Sequence, residues 1–199
     1  MGTADKAKKL LALLMNERDK VDLRVLRIRL REELSSQEII RLLEGIFEGS
    51  DIVWAASRPG MVLSPLHAFF VFYHTIKAFA LGRNISNKFS IEFLLRLVCE
   101  DQIIHALGIA GIGDRTREFY LYVMSPSKET SEEKLWALFS LPVEEIERLN
   151  TSQLCEARPL LKILNISDEE LHATNYRSSA LGPELKGVLT RLSLLNTKR

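Results

Sequence analysis

Cysteine is nearly missing: Cys99 and Cys155 are the only two in 199 residues. No disulfide framework can staple such a chain, and the pair lacks the spacing and nearby histidines of a zinc site. Both are read as buried small apolar residues in a reducing compartment. With 6 Pro and 10 Gly the chain is neither collagen-like nor low-complexity. Net charge is equally scarce. The 27 basic residues nearly cancel 26 acidic ones and leave +1, so any nucleic acid or anionic lipid would have to be met by a local patch. Long apolar runs are missing too. Leu10 to Met15 is too short and too closely flanked by charge for a signal-peptide core. Leu66 to Leu81 is interrupted by His67, His74 and Lys77 and falls short of the roughly 20 apolar residues of a bilayer span. The expectation is a soluble, intracellular, cytoplasmic protein with no membrane partner.

What is present reads as alternating helices and strands. Ala4 to Met15 has apolar residues on a helical period opposite Lys6, Lys8 and Lys9, a short amphipathic helix only loosely tied down. Leu23 to Leu30 alternates apolar residues with Arg24, Arg27 and Arg29, a strand with a cationic face, and the Val25-Leu26 doublet predicts a bulge or bend. Ser35 to Glu38 is a capping-box signal before a helix over Ser36 to Phe47 closed by Gly49. Asp51 to Ala56 predicts a buried strand. Ser64-Pro65 starts a helix to about Leu81, apolar nearly all round and closed by Gly82. Ser90 to Glu100 predicts the next helix, Asp101 caps a short one over Gln102 to Leu107 that stops at Gly108, and Glu118 to Met124 predicts a third strand. The rest reads as helices over Ser131–Phe139, Val143–Leu149, Ser167–Ala173 and Pro183–Leu195, with linker points at Ser125 to Ser127 and Ser178-Ser179. The fold class is therefore α+β: a small mixed or antiparallel sheet of three to five strands packed by helices, with a helical C-terminal third. Residues 1–21 form an N-terminal helix or arm, and residues 22–199 a single domain.

No catalytic pattern emerges. Gly108 to Gly113 is glycine-rich, but it lacks the flanking strand and helix and the Lys-Ser/Thr of a phosphate loop, and reads as a turn into the next strand. His67 and His74 share a helix face but lie about 10 Å apart by helical rise, too far for one metal. His105 and His172 are isolated. The acidic pairs Glu132-Glu133, Glu144-Glu145 and Glu169-Glu170 sit near expected helix starts and read as solvated faces. The expectation is no enzyme, no cofactor, no metal and no small-molecule substrate.

One distribution stands out. Between Ile52 and Ile91 there is no Asp or Glu, while Arg58, Lys77, Arg83 and Lys88 are present, and Arg24, Arg27, Arg29 and Arg31 line the strand upstream. Segregated charge of this kind can meet phosphates, and Trp54, Tyr73 and Phe89 are near enough in sequence to stack on unpaired bases.

The block from Thr75 to Ser86, ending Gly82-Arg83-Asn84-Ile85-Ser86, is followed by Glu92 to Leu95, Gln102-Ile103 and Ala106-Leu107. In order and spacing it resembles the small kinase-binding subunit of the KEOPS complex, the PRPK-binding protein family. The tail from Glu184 to Leu195 is similar to that family's closing helix; the chain departs from the family with Glu100-Asp101 before the Gln-Ile pair. The resemblance implies a non-catalytic subunit of the assembly that makes threonylcarbamoyladenosine on tRNA. Such a subunit binds the kinase-like ATPase subunit and recruits tRNA through its 3′ CCA end. Carried over by position, Lys77, Arg83, Asn84, Ser86 and Lys88 become RNA-binding residues, while Leu185, Val188, Leu189 and Leu192 offer an apolar stripe to the kinase or to the core. The alternative is a protein-only interaction module that regulates a kinase or dimerises and never touches RNA.

Overall fold

The computed structural model describes residues 2–16, 20–149, 158–174 and 182–197. The fold is α+β. The described strands are β1 (Asp22–Leu34), β2 (Val53–Ser57), β3 (Thr116–Ser125) and β4 (Val143–Arg148). They form one antiparallel sheet in the order β2-β3-β1-β4. The described helices are α1 (Thr3–Asn16), α2 (Ser36–Phe47), α3 (Pro65–Ala80), α4 (Phe89–Leu97), α5 (Ile103–Ala110), α6 (Lys128–Trp136), α7 (Arg158–Ile163), α8 (Asp168–Thr174) and α9 (Pro183–Thr197). A 3-10 turn over Ala137–Ser140 follows α6.

Both faces of the sheet are covered. On one, Val25, Ala55, Tyr120 and Tyr122 pack against α1, α3, α4 and α9; on the other, Ile28, Ala56, Phe119 and Leu121 pack against Ile39, Leu43 and Phe47 of α2 and Leu138 of the 3-10 turn. Alternate residues of β1 and β3 thus enter different cores, as the two-residue period of a strand requires. This explains the Val25-Leu26 doublet. Both are buried, at 1% and 4% exposure, because each face has a core, and the register irregularity falls after Arg29 instead.

Several expectations need correction. Val143 to Leu149 is an edge strand, not a helix. β4 pairs with β1 so that Val143 lies opposite Leu30, Glu145 opposite Arg29 and Ile146 opposite Ile28. The extra residue brings Val143 and Ile146, three apart, onto one face of the sheet, a spacing that otherwise signals a helix. α1 is no loose arm, because Ala7, Leu10 and Leu14 are 0–5% exposed and sit in the core with α3. α5 is not capped by Asp101 and does not stop at Gly108. Its N-cap is Gln102, without a side-chain bond, and it runs on to Ala110, where Arg58 Nε donates to Gly111 O (3.1 Å) and its NH2 to Gly108 O (2.9 Å). Arg58 therefore holds a helix C-terminus. Ser125 to Ser127 is a tight strand-to-helix turn, with the Ser127 hydroxyl accepting from Thr130 N at 3.2 Å. α7 was not foreseen, and Ser178-Ser179 and Cys155 lie outside the described residues.

The caps that set the functional region form as the sequence predicts. Ser35 and Glu38 make a reciprocal capping box on α2, and Ser64 caps α3 with Pro65 in its first turn. α3 ends in a Schellman motif. Gly82, at φ +65, donates to Phe79 O (3.3 Å), and Arg83 N donates to Ala78 O (2.8 Å). Nothing lies within 4 Å of where a Gly82 Cβ would stand, so a side chain there meets only backbone strain. Gly82→Ala is expected to lower unfolding free energy by about 1–2 kcal/mol, the cost of a left-handed non-glycine residue, as measured by urea denaturation.

Candidate nucleic-acid interface

The turn from Gly82 to Lys88 joins α3 to α4 and carries most of the residues that the sequence assigns to RNA. Lys77, Arg83 and Lys88 are exposed, and neither the Lys77 nor the Arg83 side chain has an ion-pair partner among the described residues. Lys88 Nζ lies 3.8 Å from Glu44 Oε1, with both side chains more than half exposed, a surface pair of little strength. Asn84 and Ser86 do not join this outward set. Ser86 is 6% exposed and its hydroxyl accepts from Lys88 N at 3.1 Å, while Asn84 Nδ2 donates to Ser86 O at 3.1 Å. The Ser86 hydroxyl and the Asn84 Nδ2 group thus brace the turn from within.

Behind the turn lies a carboxylate that the sequence reading did not single out. Glu92 of α4 is fully buried. Its Oε2 accepts from Ile85 N (2.7 Å) and Ser86 N (3.0 Å), and its Oε1 accepts from Arg96 NH2 (2.7 Å). Arg96 is one helical turn on and 4% exposed. Removing one member of such a pair leaves a buried charge alone and costs about 3–5 kcal/mol. Its only signal in sequence is the i, i+4 spacing of Glu92 and Arg96, which also describes any solvated helix pair. Beside Lys88, a cleft of about 350 Å³ runs between α2, α4 and α5, lined by Ile40, Ile91, Leu94 and Leu107 together with Glu44 and Lys88.

The strand arginines do not extend this cationic surface. Arg24 pairs with Asp22 (2.7 Å) and Glu132 (3.1 Å), Arg27 with Glu118 (3.0 Å), and Arg29 with Glu145 (2.7 Å). Arg31 Nε donates to Val143 O at 3.1 Å. Apart from Asp22, two residues from Arg24 on β1 itself, the acids come from β3, β4 and α6, so most of the pairing is absent from any local window of sequence. The candidate stacking residues are also engaged. Phe89 is 8% exposed and stacks on Phe79 and Phe72, Trp54 stacks on Phe47 at 5.8 Å, and Tyr73 packs edge-on to His74.

The proposed kinase-facing stripe turns inward. Val188 and Leu192 are 0% and 1% exposed in the main core, and Leu185 and Leu189 pack against it half-buried. Arg191 fastens α9 further, pairing with Glu170 of α8 at 2.8 Å. Val188 and Leu192 therefore hold α9 to its own domain, and Leu185 and Leu189 pack beside them while keeping part of their surface open. Large apolar side chains that reach solvent include Ile104, Trp136, Met15 and Phe139, at 83%, 72%, 68% and 64% exposure, and Leu194 of α9; Trp136 and Phe139 are in ring contact at 5.6 Å.

His67 and His74 are held within α3 and its packing. His67 is fully buried with Nδ1 accepting from Leu63 N at 3.3 Å, and burial pushes its pKa down to about 3. His74 falls to about 4, chiefly through burial and then through the charges of Arg96 and Lys77. The Cys99 thiol is pushed up to about 12 by burial, so it stays protonated and unreactive at neutral pH. Among the described residues no three His, Cys, Asp or Glu side chains are grouped to hold a metal ion, and no helix is long and apolar enough to cross a membrane.

These burials have measurable consequences. The folded chain keeps His67 neutral down to about 3, whereas the unfolded chain takes up a proton near 6.5, so stability is present above 6.5 and is lost as pH falls through that window. From pH 7 to pH 5 His67 alone is expected to remove about 2 kcal/mol in urea titrations, and His67→Asn to abolish that part of the loss. Leu192→Ala is expected to cost about 2–5 kcal/mol in the isolated chain, as for a core truncation; an unchanged melting temperature would show that α9 is not part of the core. No protein-family model matches this chain, and no curated protein does, so the family resemblance rests on the residues from Thr75 to Leu107 and on the closing helix.

Proposed function

We propose that this chain is a non-catalytic adaptor of the KEOPS type, which recruits tRNA, including its 3′ CCA end, to a kinase-like ATPase subunit in the cytoplasm. The observation that carries the reading is the α3–α4 turn. It lies in the block that resembles the family, within the forty-residue window from Ile52 to Ile91 that holds no acid, and its Arg83 and Lys88, like Lys77 near the end of α3, are exposed. Guanidinium and ammonium groups displayed from a fixed backbone suit a ribose-phosphate chain, which needs positive charge at set spacing. The fork of Arg83 can engage two phosphate oxygens at once. With the strand arginines neutralised, RNA contact on this reading is confined to one end of α3 and the turn after it.

The protein-docking half of the reading moves away from α9. A kinase partner would meet exposed apolar side chains such as Ile104, Trp136 and Phe139. The same side chains favour the second reading, an interaction module without RNA, because an exposed aromatic pair is a common anchor for a protein partner.

Mobility-shift titrations with intact tRNA and with tRNA lacking CCA separate the two. The adaptor reading expects tighter binding to intact tRNA and affinity that falls with salt, as counterions are released. Arg83→Ala and Lys77→Ala are each expected to weaken binding several-fold and to reduce the salt slope by about one, with melting temperature unchanged. Equal or absent binding to both RNAs, together with an RNA-free heterodimer with the kinase-like ATPase by light scattering, would leave the protein-only module.

A further inference from the structure

Glu92 is a charged residue in the first turn of α4, and its carboxylate is aimed back at the turn that precedes the helix. One oxygen collects two consecutive amide N–H groups, those of Ile85 and Ser86, at 2.7 and 3.0 Å. Successive amides converging in this way make an anion-binding concavity, and here the chain fills it with its own side chain. The other oxygen is taken by Arg96 at 2.7 Å, and both side chains are nearly out of contact with water. At its opposite end the same turn is held by the Schellman bonds of Gly82 and Arg83. Arg83 thus stands between two anchors, with its own N–H on Ala78 O and Ile85, two residues on, fixed to Glu92.

We infer that Glu92, backed by Arg96, is a positioning residue for RNA capture: it fixes the path of residues 83–88, and so the direction in which Arg83 and Lys88 face, without touching RNA itself. This rests on the adaptor reading above. A turn with free amides at 85 and 86 would sample several conformations, and the entropy of ordering it would be subtracted from each RNA-binding event. The bound geometry is instead set during folding. A purely electrostatic role is excluded, because a buried carboxylate can only oppose an approaching phosphate.

Glu92→Gln keeps an oxygen for the two amides but presents an NH2 group, a donor, to the Arg96 guanidinium, so one of the two bonds must fail. At a temperature where circular dichroism shows the variant folded, the Ile85 and Ser86 amides are expected to exchange with solvent at least about tenfold faster than in the parent chain, while those of β3 are unchanged. Affinity for tRNA is expected to fall roughly tenfold with the same salt slope, since no phosphate contact is removed. Arg83→Ala, by contrast, lowers the slope. If Glu92→Gln does not fold, Ser86→Ala serves in its place; it removes the hydroxyl acceptor of the Lys88 amide, leaves the buried pair intact and is expected to shift affinity in the same direction with the slope preserved. Unchanged exchange at Ile85 and Ser86 in Glu92→Gln, or faster exchange with unaltered tRNA affinity, overturns the positioning role alone. A parent chain that binds no tRNA overturns the adaptor reading and the RNA role of Glu92 with it.

Discussion

A sheet buried on both faces, with β1 paired on both sides, is the constraint from which most of this molecule follows. Residues 26–29 of β1 are paired with β3 on one side and β4 on the other, and the side chains of that stretch enter a core or meet a partner on a flanking strand. Val25 enters one core, and Leu26, Ile28 and Leu30 the other. Arg27 and Arg29 share the face of Val25, beyond the reach of the helical layer, and there meet Glu118, Glu145 and Glu147 on the flanking strands. Cross-strand pairs of opposite charge stabilise a sheet by only about 0.2–1 kcal/mol each, but they also pin the register of a strand that has apolar residues on both faces.

The same constraint decides what could be read in advance. Elements defined by local chemistry were legible: the capping box at Ser35 and Glu38, the Ser64-Pro65 start of α3 and the Gly82 close all depend on residues within one turn of each other. β4 was not, because Val143, Ile146 and Leu149 repeat at helical spacing and the bulge that reconciles that spacing with a strand is imposed by β1. The end of α5 was hidden for a similar reason. Gly108 is a helix breaker in sequence, yet Arg58, some fifty positions earlier, supplies the hydrogen bonds that carry the helix past it.

Charge suffered the largest revision between sequence and space. Eight basic residues seemed to form one cationic region, and the fold divides them by function. Arg24 pairs with Asp22 of its own strand and Glu132 of α6, Arg27 and Arg29 answer carboxylates of the flanking strands, Arg31 donates to Val143 O, Arg58 holds a helix end, and Lys77, Arg83 and Lys88 remain at the surface. Of the five residues that the resemblance assigns to RNA, the two neutral ones, Asn84 and Ser86, make hydrogen bonds within the turn. A motif can thus be local and coherent while its members divide between display and support. Sequence spacing alone does not separate them, because both kinds occupy the same seven-residue stretch.

The buried Glu92–Arg96 pair belongs on the side of support, and its energetics argue for more than stability. An ion pair taken out of water rarely surpasses a well-packed apolar substitute of equal volume, and at α4 the neighbours Phe93, Leu94 and Leu95 already form such packing. What an apolar pair cannot do is accept two hydrogen bonds from a loop. The carboxylate specifies one conformation for Ile85 and Ser86 out of the many open to a polar turn, and the guanidinium satisfies its other oxygen. A deeply buried charge pair thus sets the geometry of an exposed turn, which is intelligible if that turn must meet a ligand in a fixed shape.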